Sequence, residues 1–178
     1  MDMQRVLHKF ETTSGTWRQA LARRTDECFS KERADGEWTL GQACDHVTSV
    51  SLKFLEGAEA LARGEGQPGR TGLMPKIMIN LVGSLPPGRF KVPNNLPPEF
   101  ATFATPNPIT KTEAIARFEE VERRHRELLD PVSAASPKTC SKHPAAGWLN
   151  AGQWYKLSEM HMRHHLRQLR RIEKDLDS

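Results

Sequence analysis

The sequence has few of the features that mark secreted, membrane-spanning or disulfide-rich proteins. Its 178 residues include three cysteines, Cys28, Cys44 and Cys140, without a CxxC pair, so neither a disulfide framework nor a zinc knuckle is indicated. No stretch approaches the roughly 20 apolar residues that cross a bilayer. Polar residues interrupt the first ten positions, which lack the apolar core of a secretory signal. We therefore expect a cytoplasmic protein without a membrane partner.

Strand-like alternation of apolar and polar residues is almost missing, whereas helical periodicity occurs in four places. The predicted helices cover roughly 3–26, 39–64, 110–131 and 150–178. The first contains the weak helix formers TTSGT at 12–16. The third is expected to stop at Asp130–Pro131, because proline disfavours helix in the residue before it. Amphipathic helices hide their apolar faces most simply against one another, so the pattern predicts one all-α domain over residues 1–178, a four-helix bundle.

Capping signals mark where three of these helices begin. Thr39 with Gln42 and Thr110 with Glu113 have the spacing of a capping box, in which each side chain bonds the backbone amide of the other residue. Asn150 is a suitable cap for the fourth helix. The beginnings of the second, third and fourth helices are therefore predicted more sharply than that of the first.

A proline-rich loop is predicted between the second and third helices. Residues 83–108 hold seven of the twelve prolines, which excludes a long helix there. A connection of this length is typical either of a functional lid or of a segment that wraps the bundle. Phe90, Phe100 and Phe103 are candidates to hold it in place. The preceding residues 74–82, MPKIMINLV, predict a short additional helix.

The positive charge is concentrated near the end of the chain. The net charge is +4, the sequence pI is near 9.1, and the cluster consists of Arg163, Arg167, Arg170, Arg171 and Lys174. Both a nucleic-acid surface and a solvated helix face are consistent with it. We favour the solvated face and expect no nucleic-acid partner, because Glu173 and Asp175 interrupt the cluster and no known nucleic-acid motif accompanies it.

The last helix carries an H-x-x-x-H pair within EMHMRHHLRQ, residues 159–168. His161 and His165 lie about 40° apart around a helix, on its apolar face, whereas His164 falls about 80° to one side, at the rim. Two neutral imidazoles in an apolar stripe each need a polar partner and two protonated ones repel, whereas one divalent cation satisfies both. The pair therefore favours a metal site over two separately hydrogen-bonded core histidines.

The residues around the pair narrow its chemistry but leave the third ligand open. Met162 stands where the H-E-x-x-H motif of metalloproteases has its glutamate, so a peptidase lacks its general base. On a helical wheel His125 lies nearer the centre of its apolar stripe than His46, which lies about 100° from the centre of its own. The candidates that spacing offers are His46, His125, His8, Asp45 and Cys44.

Two stretches resemble the DinB-like superfamily, and in particular one branch of it. They are EWTLGQACDHV at residues 37–47 and HPAAGWLNAGQWYKLSEMHMRHHLRQ at residues 143–168. The resemblance implies an up-down-down-up four-helix bundle, commonly a homodimer, with a divalent metal (zinc or nickel) held by three histidines and open to solvent. Carried over to this sequence, the implied metal ligands are His46, His161 and His165.

Two further residues of these stretches have open roles. Gln168 follows His165 by three positions, as in the H-x-x-Q ending of the family, and is a candidate to hydrogen-bond a histidine or a bound water. His143 precedes Pro144, and we interpret this pair as a turn rather than as part of the site.

Three imidazoles leave the full charge of the ion and at least one open coordination position, which is typical of a catalytic site. Two reaction classes follow, namely hydrolysis by an acidified water and activation of a low-molecular-weight thiol for transfer to a small electrophilic substrate. The resemblance favours thiol transfer, because several relatives use bacterial thiols. The third hypothesis is a non-enzymatic, stress-related binding module, since no obvious general base or oxyanion donor accompanies the histidines in the sequence.

Overall fold

The computed structural model describes residues 1–33, 36–85 and 105–178. Most of the predicted proline-rich loop lies outside the described residues, including Phe90, Phe100 and Phe103. Within the described ranges, no helix combines the length and the apolar character needed to cross a membrane.

Helices make up most of the described chain, as predicted. They are α1 (Met3–Ala22), α2 (Glu27–Ser30), α3 (Leu40–Ala62), α4 (Leu73–Lys76), α5 (Lys111–Ala134), α6 (Ala151–His164) and α7 (Leu166–Leu176), with a π-helical turn at Ile77–Val82 directly after α4. The long helix α3 packs on α5 and α6, and α1 packs on the same two helices. The short helix predicted at residues 74–82 is confirmed by α4 and the π-helical turn.

The predicted helix caps are formed. At the start of α3, the Thr39 hydroxyl accepts a hydrogen bond from the Gln42 amide at 3.2 Å, and the Gln42 side chain accepts one from the Thr39 amide at 3.0 Å. The same reciprocal arrangement begins α5 at Thr110 and α6 at Asn150. Each box satisfies amides that a helix leaves unpaired in its first turn, so local sequence alone explains where these helices begin.

Tertiary contacts override two local predictions inside helices. Helix α1 runs unbroken through TTSGT, where the buried Ser14 hydroxyl donates a hydrogen bond of 2.6 Å to Glu122 of α5. Helix α5 does not stop at Asp130–Pro131 but continues to Ala134. The proline removes one backbone hydrogen bond from the last turn. Packing offsets this loss, because Val132 beyond it is buried in the core.

The fourth predicted helix is divided in two. It begins at Asn150 as expected, but α6 ends at His164 and α7 begins at Leu166, so His165 lies at the junction. Helix α7 remains attached to the core through the buried side chains of Leu169 and Ile172.

A small antiparallel sheet was not predicted, so the all-α prediction is incomplete. Its strands are β1 (Gln67–Pro68), β2 (Thr139–His143) and β3 (Gly147–Asn150), in the order β1-β2-β3. Two to five residues are too few to show a period of two in the sequence. The turn predicted after His143 is confirmed, because residues 144–146 reverse the chain between β2 and β3, and Gly147 then adopts φ +71°.

The residues before α5 cross the start of α3, next to Gly41 and Asp45. The Asn107 amide donates a hydrogen bond of 2.7 Å to the buried Asp45 carboxylate, which also pairs with Arg117 of α5. Gly41 makes this crossing possible, because a Cβ at this position would lie 2.9 Å from the Phe29 carbonyl and closer still to that of Ile109. The crossing therefore ties the start of α3 to α5.

Two glycine-to-alanine substitutions should change stability in opposite directions. Gly15 lies inside α1 with nothing within 4 Å of an added Cβ, so Gly15→Ala should raise the free energy of unfolding by about 0.5–1 kcal/mol. Gly41→Ala should lower it, because two backbone carbonyls would have to move. Urea unfolding followed by circular dichroism measures both. Equal effects of the two substitutions would contradict the close crossing at Gly41.

Candidate metal centre

Three histidines from distant parts of the sequence converge at one site. His46 comes from α3, His161 from α6 and His165 from the junction of α6 and α7. The Nε2 atoms of His46 and His161 are 3.2 Å apart, and one ring nitrogen from each of the three residues lies within 4.8 Å of the others. Nitrogen ligands at about 2 Å from a shared ion fit this spacing, so the cluster could hold a divalent metal.

The packing of α3 against α6 brings His46 into the cluster despite its position on the helical wheel. A wheel gives a direction from the axis of one helix, whereas His46 lies where α3, α6 and the chain before α3 meet. Its ring is 4.7 Å from that of Trp38 and 5.0 Å from that of His161, measured between ring centroids. The packing of α3 on α6, and not the apolar stripe of α3, therefore places the His46 ring next to His161.

Burial keeps two imidazoles of the cluster, those of His161 and His165, neutral. Burial, followed by the nearby His165 and His46, holds the pKa of His161 well below its ordinary value of 6.5. Burial and the neighbouring His46 lower the pKa of His165 to about 3, with an opposing contribution from its hydrogen bond to Gln168. Both rings are therefore unprotonated near pH 7, the state in which an imidazole nitrogen can bind a metal.

The hydrogen bond of Gln168 orients the third ring. Nδ1 of His165 lies 2.7 Å from Oε1 of Gln168, in the first turn of α7. An amide oxygen only accepts, so this contact places the proton on Nδ1 and leaves the lone pair of Nε2 free to bind an ion. For His161, Nδ1 is buried without a hydrogen-bond partner among the described residues.

Aromatic side chains and His143 border the site on one side. The Phe54 ring stands edge-on to His161 at 5.8 Å, and the His143 ring lies 5.5 Å from Phe54 and 5.0 Å from Trp154. The β2–β3 turn fixes His143, since its Nδ1 accepts hydrogen bonds from two turn amides at 3.1 and 3.0 Å. Burial lowers the pKa of His143 to about 4. His143 therefore combines its predicted turn role with a place near the cluster.

The carboxylates adjacent to the cluster in sequence are engaged elsewhere. Asp45 pairs with Arg117 of α5, and the carboxylate of Glu159, which is 1% exposed, accepts a hydrogen bond of 2.6 Å from Arg163. In the described ranges, the metal-binding side chains that gather at this point are the three histidines alone. A bound divalent ion would therefore keep its full positive charge.

The other candidate ligands lie away from the cluster. His125 is fully buried in the core, stacked on Phe10 at 3.6 Å and 3.0 Å from the Ser158 hydroxyl. His8 is exposed on α1. Cys44 is a buried free thiol whose pKa is raised by burial. The predicted rim position of His164 agrees with its ring, which is edge-on to His165 at 5.3 Å.

Sequence reasoning missed two residues that shape the site. Trp38 contacts His46 and Phe54 contacts His161, yet neither was singled out as part of a site. Phe54 belongs to the apolar stripe of α3, which by itself indicates core packing. For Trp38, the signal in the sequence is its place directly before Thr39, the first residue of the capping box that begins α3.

Comparison with known protein families finds a match that covers most of the chain. The model of the DinB superfamily matches residues 9–169, which include all three histidines of the cluster. Comparisons with curated proteins and with solved structures gave no match.

The buried His125 should make stability sensitive to acid. Burial lowers its pKa from 6.5 to about 3, so in this window the unfolded chain binds a proton that the folded protein does not. Stability should therefore fall as the pH drops below 6.5, with a contribution from His125 of about 1.4 kcal/mol per pH unit. Urea unfolding with a chelator present, from pH 7 to pH 4, should show a shallower slope for His125→Gln. Parallel slopes would contradict a neutral, buried His125.

Proposed function

This chain belongs to the DinB superfamily, and on that premise we propose that it is a metal-dependent enzyme whose divalent ion, zinc or nickel, is held by His46, His161 and His165. The proposed activity is activation of a low-molecular-weight thiol for transfer to a small-molecule substrate. The observation that carries the proposal is the convergence of three ring nitrogens within 4.8 Å of one another.

The protonation state of His161 and His165 supports this assignment. Burial disfavours the protonated forms of His161 and His165, so neither ring has to lose a proton near pH 7 before it binds an ion. Gln168 accepts from Nδ1 of His165 and leaves the lone pair of its Nε2 free for an ion. Neutral, oriented imidazoles are the usual ligands of catalytic zinc and nickel sites.

When bound, a divalent ion would supply the Lewis acidity that lowers the pKa of a thiol or a water. The protein supplies the shape and polarity around it. Trp38 and Phe54 border the histidines with apolar surface, which limits the access of water and suits the carbon chain of a thiol or an electrophile. Three neutral ligands leave the positive charge uncompensated, so an anionic sulfur is stabilised there.

Thiol transfer is favoured over hydrolysis by the position of the acidic groups. A metal-dependent hydrolase commonly uses a nearby carboxylate as its general base. Asp45 and Glu159, the carboxylates next to the cluster in sequence, are committed to Arg117 and Arg163. A thiol needs no such base, because its ordinary pKa of about 8.5 already lies close to neutral pH.

The remaining features of the proposal concern the whole molecule. The contacts of α1 and α3 with α5 and α6 support an up-down-down-up four-helix bundle that forms a single domain over residues 1–178. We propose a cytoplasmic homodimer that acts on a small molecule and binds no nucleic acid. The exposed apolar side chains of Leu73, Met74 and Leu81 support a surface for a second copy.

Purified protein should retain about one divalent ion per chain, since three ligands and a water complete a tetrahedral site. His161→Ala should reduce this to trace levels while the helices persist, whereas His8→Ala, which changes an exposed histidine of α1, should not. Elemental analysis by mass spectrometry, with circular dichroism as a check of folding, measures both. Equal trace content in all three proteins would remove the metal site.

The reaction class can be tested with metal-loaded protein. Glutathione, bacillithiol and mycothiol should each be offered with a panel of electrophiles, alongside ester and amide substrates. We expect metal-dependent consumption of at least one thiol, abolished by a chelator and by His161→Ala. Turnover of esters or amides alone would favour the hydrolase. No turnover of any kind, with metal bound, would favour a non-enzymatic binding module.

A further inference from the structure

The outer face of the histidine cluster is formed by α7 and by the chain before α3. Helix α7 supplies Gln168, whose Oε1 is 2.7 Å from Nδ1 of His165. Its Asp175 pairs with the guanidinium of Arg33, which also donates a hydrogen bond of 3.1 Å to the carbonyl of Trp38. The Trp38 ring in turn lies 4.7 Å from the ring of His46. Two short routes therefore lead from α7 to two different histidines of the cluster.

We propose that α7 positions the metal-binding histidines, with Gln168 as the residue that sets the tautomer of His165 and with Arg33, held by Asp175, as the residue that keeps Trp38 against His46. This inference rests on the proposed metal site and deepens it. Neither Gln168 nor Arg33 is a ligand; each acts through a neighbouring residue.

His165 lies directly before α7, so the residue that accepts the hydrogen bond from its Nδ1, Gln168, belongs to α7. The backbone at His165 has φ −76° and ψ −6°, at the end of α6 and immediately before α7. Gln168 is part-buried in the first turn of α7, three residues after His165. Buried Leu169 and Ile172 hold the helix on the core. The ring of His165 is thus held by a side chain of α7, the helix that Leu169 and Ile172 fix on the core.

The ion pairs of α7 make this docking specific. Arg33 is 5% exposed in its side chain, and Nε donates to Oδ2 of Asp175 at 3.1 Å. At the end of α7, Arg24 of the segment after α1 pairs with Asp177. The same guanidinium also pairs with Glu37 at 2.8 Å. A guanidinium removed from water needs carboxylate partners, and Asp175 is the one of the two that reaches it from α7.

Coupling of this kind is reciprocal. If docked α7 favours the ring positions that bind a metal, a bound metal must favour docked α7 by the same free energy. Metal binding should therefore slow hydrogen exchange of the α7 amides, although α7 contributes no ligand of its own. A cluster independent of α7 would leave its exchange unchanged.

Four variants separate these roles. Gln168→Leu keeps the approximate size of the side chain and removes the acceptor, and should weaken zinc binding by roughly 10- to 100-fold. Gln168→Glu restores an acceptor and should recover most of the affinity. Asp175→Asn weakens the pair with Arg33 and should reduce zinc affinity by a smaller factor. Arg171→Gln, at an exposed position of the same helix, is the matched control and should bind zinc as the wild type does.

The measurements are zinc affinity by competition with a chelator, hydrogen exchange of residues 166–176 with and without zinc, and nitrogen NMR of the His165 ring in metal-free protein. Wild-type protein should show the proton on Nδ1, and Gln168→Leu should shift it toward Nε2. An unchanged tautomer and unchanged zinc affinity in Gln168→Leu would overturn the role of Gln168. Unchanged affinity in Asp175→Asn together with zinc-independent exchange in α7 would overturn the coupling.

The metal-free arm separates this inference from the proposed function. If the wild-type protein binds no zinc or nickel, the metal site and its coupling to α7 both fail. The tautomer measurement then still decides whether Gln168 orients His165. If zinc binds and only the variants behave like the wild type, the metal site stands and the positioning role of α7 is wrong.

Discussion

The contact between α3 and α6 is the interaction on which the candidate site depends. Gly57 of α3 lets the helices approach, since an added Cβ would lie 3.0 Å from the Trp154 ring of α6. Phe54 then fills the interface between Trp154 and His161. At the end of this contact, His46 meets His161 with 3.2 Å between their Nε2 atoms. The distance between the two helices therefore also sets the distance between these histidines.

The chemistry of each buried histidine follows from its neighbours rather than from its burial alone. His125 has one hydroxyl partner and an aromatic ring beside it, and is a neutral core residue. His161 and His165 are also held neutral, but their nitrogens face a third imidazole, so the same desolvation that destabilises a proton leaves lone pairs for a cation. Burial thus makes His125 a core residue, whereas at His161 and His165 it leaves nitrogen lone pairs that could bind a cation.

The sequence predicted the starts of three helices correctly, because each capping signal involves only residues within one helical turn. The capping boxes at Thr39 and Thr110 and the cap at Asn150 were readable because both partners lie within one turn. The same reasoning failed for Pro131, where burial of Val132 keeps α5 helical, and for the sheet, whose strands are too short to show a period. Contacts between distant segments decided these cases, and no local pattern contains them.

For the site, the sequence by itself determined that His161 and His165 share one face of a helix, because a spacing of four residues fixes their relative direction. It left His46, His125, His8, Asp45 and Cys44 as competing partners. Helical periodicity favoured His125 over His46, but the structure places His125 in the core and His46 beside the pair; the resemblance to the DinB-like superfamily pointed to His46. Only the tertiary structure decided which ring stands opposite the pair and that Gln168 bonds His165. The physical reason is that a helical wheel describes directions around one axis, whereas a site of three ligands depends on the distance and rotation between two helices.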